Sequence, residues 1–194
     1  MKEFELGQRI WIVGPAGSGK STVARLISSE LELPHYELDE YFWGPNWTRM
    51  ENSKFIKLVD EISENQKWII EGQYLQIKEV LINKADTFIF METKFEKTLF
   101  RVLKRSIFNI LKKELLWNTN YQNFKNLKSF MLCIIKIYPN VLKENNETLR
   151  MLEKSGVKCI KIKCKKDFQE FEKYIKVHSS ISKLSNCNHD SFVG

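Results

Sequence analysis

Residues 14–21 read Gly14-Pro15-Ala16-Gly17-Ser18-Gly19-Lys20-Ser21, an unbroken match to G-x-x-x-x-G-K-[ST], and Thr22 follows. This pattern dictates its surroundings. Its glycines let the main chain wrap closely enough for successive amide N–H groups to converge on an anion. A helix beginning at the loop's end adds about half a positive charge. The pattern therefore calls for a buried strand before it and a helix after it. Both are legible. Arg9-Ile10-Trp11-Ile12-Val13 is a short β-prone run, and Val23, Leu26, Ile27 and Leu31 recur at helical spacing from Ser21 to Leu31.

The same alternation continues. Pro34 ends the first helix, and Tyr36-Glu37-Leu38 predicts a second strand. Ser53 to Ile62 reads as a helix with Ser53 as its N-cap. Trp68-Ile69-Ile70 and Thr87-Phe88-Ile89-Phe90-Met91 predict the third and fourth strands, and Val157 to Cys164 the fifth. Lys97 to Lys113 is helical and basic, and Asp167 to Val177 closes with a stripe of Phe168, Phe171, Tyr174 and Ile175. Strands alternating with helices predict an α/β fold with a parallel sheet covered on both faces. Residues 101–152 break that rhythm and read as a basic helical insertion. At 194 residues one domain is expected, spanning 1–178, with a Ser- and Asn-rich disordered tail over 179–194.

Composition narrows the class. Apolar residues make up 43% and charged residues 28%, enough to fill a core, which excludes wholesale disorder. The longest apolar stretch, Phe130 to Val141, is cut by Lys136 and Pro139 and falls short of the roughly 18 residues a bilayer span needs. The first eight residues carry Lys2, Glu3 and Glu5 and lack the apolar core of a secretory signal. Cys133, Cys159, Cys164 and Cys187 form no Cys-x-x-Cys pair, and Cys187 with His189 supplies too few ligands for a metal. A cytoplasmic protein with reduced thiols and no membrane partner is expected. Charge is uneven: residues 1–100 sum to −4 and residues 101–176 to +11. Nucleic acid, anionic phosphates and a solvated face all satisfy that asymmetry.

The loop identifies the first candidates. Its amides would bind a nucleoside triphosphate, Lys20 would reach the β- and γ-phosphates, and the Ser21 hydroxyl would ligate Mg²⁺. Glu71 ends the third strand and is positioned by sequence to hold the metal directly or through water, unless it is a solvated strand-end carboxylate. Asp39, ending the second strand, is a candidate proton acceptor or metal support, with an ordinary turn role as the alternative. The aromatic turn Phe42-Trp43-Gly44-Pro45-Asn46-Trp47 is expected to pack a loop rather than stack a ligand. Arg101 and Arg105, four apart, share a helix face from which two guanidinium groups could stabilise a transferring phosphoryl group, a contact worth roughly a thousandfold in rate.

These residues together resemble the P-loop kinases related to adenylate kinase, and within them the group labelled DNA topology modulation proteins. The resemblance covers about Ile10 to Ile175. Beyond the loop, it rests on Leu33-Pro34, Leu38-Asp39-Glu40-Tyr41-Phe42-Trp43 with Pro45 and Trp47, and Trp68-Ile69-Ile70-Glu71-Gly72-Gln73-Tyr74. Ala85-Asp86-Thr87, Arg101 to Arg105, and Glu114 to Asn118 with Asn120 complete it. It implies a three-layer α/β/α P-loop NTPase fold, a five-stranded parallel sheet of order 2-3-1-4-5, and a helical lid. It also implies ATP and Mg²⁺ as cofactors and a small-molecule acceptor such as a nucleotide or nucleoside. The chain departs from relatives where they read Asp-Gly-Asn-Tyr and it reads Glu71-Gly72-Gln73-Tyr74. It also lacks the Asp-Gly-Phe-Pro-Arg signature that would indicate AMP.

The expected function is an ATP-dependent small-molecule kinase. The alternative is a nucleotide-binding regulator of DNA topology with little kinase activity, motivated by the basic half and the group's label. No helix-turn-helix or zinc-finger pattern supports DNA as a partner, and simple NTP hydrolysis lacks an identifiable water-positioning group.

Overall fold

The computed structural model describes residue 4 and residues 6–189, with side chains described as far as residue 180. Five parallel strands form one sheet: β1 (Arg9–Val13), β2 (His35–Glu37), β3 (Trp68–Glu71), β4 (Thr87–Met91) and β5 (Lys158–Ile162). Their order is β2-β3-β1-β4-β5, as the resemblance implies. Seven α-helices accompany them: α1 (Lys20–Leu31), α2 (Leu38–Phe42), α3 (Asn52–Ser63), α4 (Lys78–Lys84), α5 (Phe95–Lys112), α6 (Phe124–Lys154) and α7 (Lys165–His189).

Strand alternation divides the core into two layers. Trp11, Val13, Trp68, Ile70, Phe88 and Phe90 face one way and meet α3, α4 and the second half of α6. Ile10, Ile12, Ile69, Ile89 and Met91 face the other way, against Val23, Ala24 and Ile27 of α1 and Phe171 and Ile175 of α7. Central strands buried on both faces have no room for a polar side, which is why β1, β3 and β4 read as unbroken apolar runs. Register then sets the site. Ile12 pairs with Glu71, and Glu37 pairs with Glu71, so two carboxylates stand side by side on adjacent strands at the level where β1 gives way to the loop.

Four expectations need correction. Leu38 does not extend β2; it opens the short helix α2, which carries Asp39 two residues beyond the last strand residue. Ser53 is not the N-cap of α3: Glu51 occupies that position in extended conformation, and the Ser53 hydroxyl donates to its carboxylate. The segment 101–152 is not wholly an insertion. α6 runs unbroken for 31 residues through Pro139, and its second half lays Leu149 and Leu152 on the sheet as the crossover between β4 and β5. Finally, α7 continues to His189 through residues expected to be disordered, because extending an existing helix costs far less than nucleating one. The last five residues of the expected tail lie outside the described residues, as do the side chains of Cys187 and His189. Cys133, Cys159 and Cys164 are free thiols. Among the described residues no helix is long and apolar enough to cross a membrane.

Phe88 is fully buried at the sheet's centre, edge-on to Trp11 with ring centroids 5.1 Å apart. Replacing it with Ala is expected to cost about 3–5 kcal/mol of folding stability, read by urea denaturation with an unchanged m-value.

Candidate active site

The loop leaves β1 at Gly14, whose φ of +149° and lack of a side chain are both required. A Cβ there would lie 2.4 Å from the Met91 carbonyl oxygen. Gly17, at φ +70°, would put a Cβ 2.9 Å from Val102 of α5. The backbone is therefore pressed between β4 and α5, with no tolerance for bulk. Gly19 caps α1 in left-handed conformation, and the Thr22 and Val23 amides both donate to its carbonyl at 3.1 Å, starting the helix. Ser18 Oγ, buried, finds no hydrogen-bond partner among the described residues.

Lys20 folds back over the loop, its Nζ donating to the carbonyls of Gly14 at 2.9 Å and Pro15 at 3.2 Å. Burial lowers its pKa, and the Arg105 guanidinium adds to that. Glu71, Asp39 and Glu37 pull the other way without reversing it. One ammonium thus stands among three carboxylates.

Those carboxylates differ in character. Burial pushes the Glu71 carboxyl up, but His35, Lys20 and the Ser21 hydroxyl outweigh it, and its pKa lies below the ordinary value. Its Oε1 is 3.4 Å from His35 Nε2. Asp39 is the reverse case: burial dominates and raises its pKa, although Tyr74, Lys20 and Arg105 oppose the shift. The Tyr74 hydroxyl donates to Asp39 Oδ1. Glu37 is also raised, by burial and then by the like charges of Glu71 and Asp39, while Trp117 Nε1 donates to it at 3.0 Å.

All the candidates from sequence meet here. Gly14 through Thr22 form the cradle, Glu71 and Asp39 flank Lys20, and Arg101 Nη1 donates to the Gly17 carbonyl at 3.4 Å. Arg105 lies close enough to shift both Lys20 and Asp39. Among the described residues no group of three or more His, Cys, Asp or Glu is arranged to hold a metal on its own. The aromatic turn packs as expected: Trp47 donates its backbone N–H to Asn120 Oδ1 at 2.8 Å and its Nε1 to the Tyr121 carbonyl at 3.1 Å. Asn118 Nδ2 donates to the Glu40 carbonyl at 2.8 Å, so residues 117–121 are fastened to α2, the helix that carries Asp39.

Sequence reasoning missed Glu37 and His35, although both lie in the strand that delivers Asp39. It also missed Asn145. Gln73 Oε1 accepts from the Gly14 amide at 3.2 Å and from Asn145 Nδ2 at 2.8 Å, tying the first loop residue to α6 through pairs 59 and 72 residues apart that no local pattern encodes.

No protein-family model matches the sequence. The chain is similar to the shikimate kinase of Blochmanniella floridana, 22% identical over 168 residues, covering 79% of this chain and 88% of that protein. It is 26% identical over 142 residues to the shikimate kinase of Wigglesworthia glossinidia brevipalpis, covering 64% and 75%. Its fold matches the shikimate kinase from Acinetobacter baumannii solved in complex with shikimate, with a TM-score of 0.52 and 14% identity over 98% of each chain. The chain is a P-loop kinase. The sequence relatives support phosphoryl transfer to a small molecule, and the structural match shows the fold.

A titration of Asp39 tests the site's electrostatics. Its raised folded pKa means that its contribution favours the fold below the unfolded value and is lost as pH rises through the folded one. Removing the Tyr74 hydroxyl with Tyr74→Phe takes away a bond to the charged form. The Asp39 midpoint, read by carboxyl ¹³C NMR, is expected to rise further, and the variant to lose more stability at pH 8 than at pH 4.

Proposed function

We propose that this kinase transfers the γ-phosphoryl group of ATP to a hydroxyl of a small, uncharged acceptor. The observation carrying this reading is the placement of Lys20 among Asp39, Glu71 and Glu37 at the mouth of a complete phosphate loop.

The residues present fit ATP and Mg²⁺. A loop too tight for any Cβ at Gly14, an unpartnered buried Ser18 hydroxyl and a lysine satisfied only by loop carbonyls are all suited to receiving phosphate oxygens. Bound ATP supplies the phosphoryl group, and Mg²⁺ would neutralise part of its charge, held by Ser21 with Glu71 reaching it directly or through water. Lys20 leaves the loop carbonyls to meet the β- and γ-phosphates. Arg101 and Arg105 approach from α5 and stabilise charge as it develops. Asp39, with its raised pKa and the Tyr74 hydroxyl fixing one oxygen, takes the acceptor's proton through the other. Residues 117–121, docked on the aromatic turn, keep water from competing with the acceptor.

Acceptor choice follows from charge. Shikimate, which the relatives' names designate, is an anion. Here Glu37, Asp39 and Glu40 crowd the acceptor side, and Lys20 and Arg105 are committed to phosphate. That balance supports a nucleoside or polyol over an anionic acceptor. The aromatic turn also supports the finer likeness to the topology-modulation group.

Replacing Lys20 with Ala is expected to lower ATP turnover by at least about a thousandfold while circular dichroism stays unchanged. In a coupled ADP-release screen, nucleosides and polyols are expected to stimulate turnover more than shikimate or nucleoside monophosphates. Stimulation by the anions alone would reject the acceptor class and keep the kinase. No stimulation by any acceptor, with Lys20→Ala unchanged, would reject both.

A further inference from the structure

Helix α5 is inside out. Its buried side is Thr98, Val102, Ser106 and Asn109, three of the four polar, and Thr98 Oγ1 and Ser106 Oγ find no hydrogen-bond partner among the described residues. At 3.6 residues per turn, Phe100, Leu103, Ile107 and Leu111 fall on the opposite side. These face solvent, with exposures of 68% for Phe100 and 73% for Leu111. Leu115, Tyr121, Phe124, Leu132 and Ile135, in the following segment and α6, are exposed as well. A helix normally buries its apolar stripe, so a stripe this long at the surface indicates a missing partner.

Charge identifies the partner's chemistry. Residues 95–143 contain ten Lys and Arg against two Glu. On α5, Lys97, Lys104 and Lys112 lie beside the apolar stripe rather than within it, while Arg101 and Arg105 turn toward the phosphate loop. A second copy docking the same face would bring two strongly positive surfaces together. Phosphates of duplex DNA would satisfy the cations but leave Phe100 and Leu111 in water. An anionic bilayer surface satisfies both, taking aromatic and aliphatic side chains into the headgroup boundary and lipid phosphates onto the flanking cations. We propose that the α5 stripe, with its basic flanks, seats this kinase on an anionic membrane surface. The expectation of no membrane partner rested on the lack of a spanning segment, and lying on a surface requires none.

Sedimentation of the full chain with vesicles tests this. Binding is expected to vesicles containing about a third phosphatidylserine, and not to pure phosphatidylcholine. The double variant Phe100→Ser/Leu111→Ser changes two solvent-exposed side chains. It is expected to keep its circular dichroism and melting temperature and lose vesicle affinity by about tenfold or more. Should that variant lose its fold, the single variant Leu111→Ser reads the same loss at smaller size. Three results would overturn the proposal: no binding to anionic vesicles, binding indifferent to both variants, or concentration-dependent dimerisation that these variants abolish. Tight duplex DNA binding without vesicle binding would also overturn it, assigning the basic face to nucleic acid.

Discussion

The site depends on one ammonium held among three carboxylates at the end of a buried sheet. Burial draws the Lys20 pKa below the ordinary lysine value, and Glu71, Asp39 and Glu37 offset only part of that shift, while Lys20 in turn favours the ionised forms of Glu71 and Asp39. The strand register creates this arrangement by placing Glu37 and Glu71 opposite each other and level with the loop. The compensation is partial. Two of the three acids are pushed up in pKa and one is pulled down, which separates a metal-side carboxylate from two that hold protons more readily. Environments that drive neighbouring acids apart also divide their chemical roles.

The loop is braced from three directions. Met91 of β4 closes on Gly14, Val102 of α5 on Gly17, and Gln73 holds the Gly14 amide while Asn145 of α6 holds Gln73. Each brace belongs to a different layer, so movement of α5 or α6 reaches the phosphate site without an intervening flexible segment. The reciprocal amides of Gln73 and Asn145 matter most here. The Gln73 side chain is long enough to touch both the Gly14 amide and Asn145 of α6.

Much of this was legible in the sequence, for identifiable reasons. Buried central strands announce themselves as apolar runs, and the glycine pattern demands a strand before and a helix after, so sheet, loop and α1 follow from local signals. The C-terminal edge of β2 did not, because Leu38 carries equal weight as a strand or helix residue and only its burial beneath Gly72 decides for helix. α6 was obscured by Pro139, which ends most helices. Here Leu127, Ile134 and Tyr138 on one side of the proline and Leu149 and Leu152 on the other are all buried, and that packing outweighs one missing hydrogen bond. His35 and Asn145 act through tertiary contacts, which periodicity does not report.

The lid segment shows why packing and function need not compete for the same aromatic residues. Trp43, Trp47 and Trp117 meet edge to face, with centroids 5.8 and 6.5 Å apart, and Trp117 alone extends its indole N–H to Glu37. The segment thereby supplies a donor to one of the acids that burial has made reluctant to ionise. Joined to the turn by Asn118 and Asn120 rather than by apolar contact alone, the segment sits in one register, since a shifted pairing would leave the buried Asn120 amide unbonded.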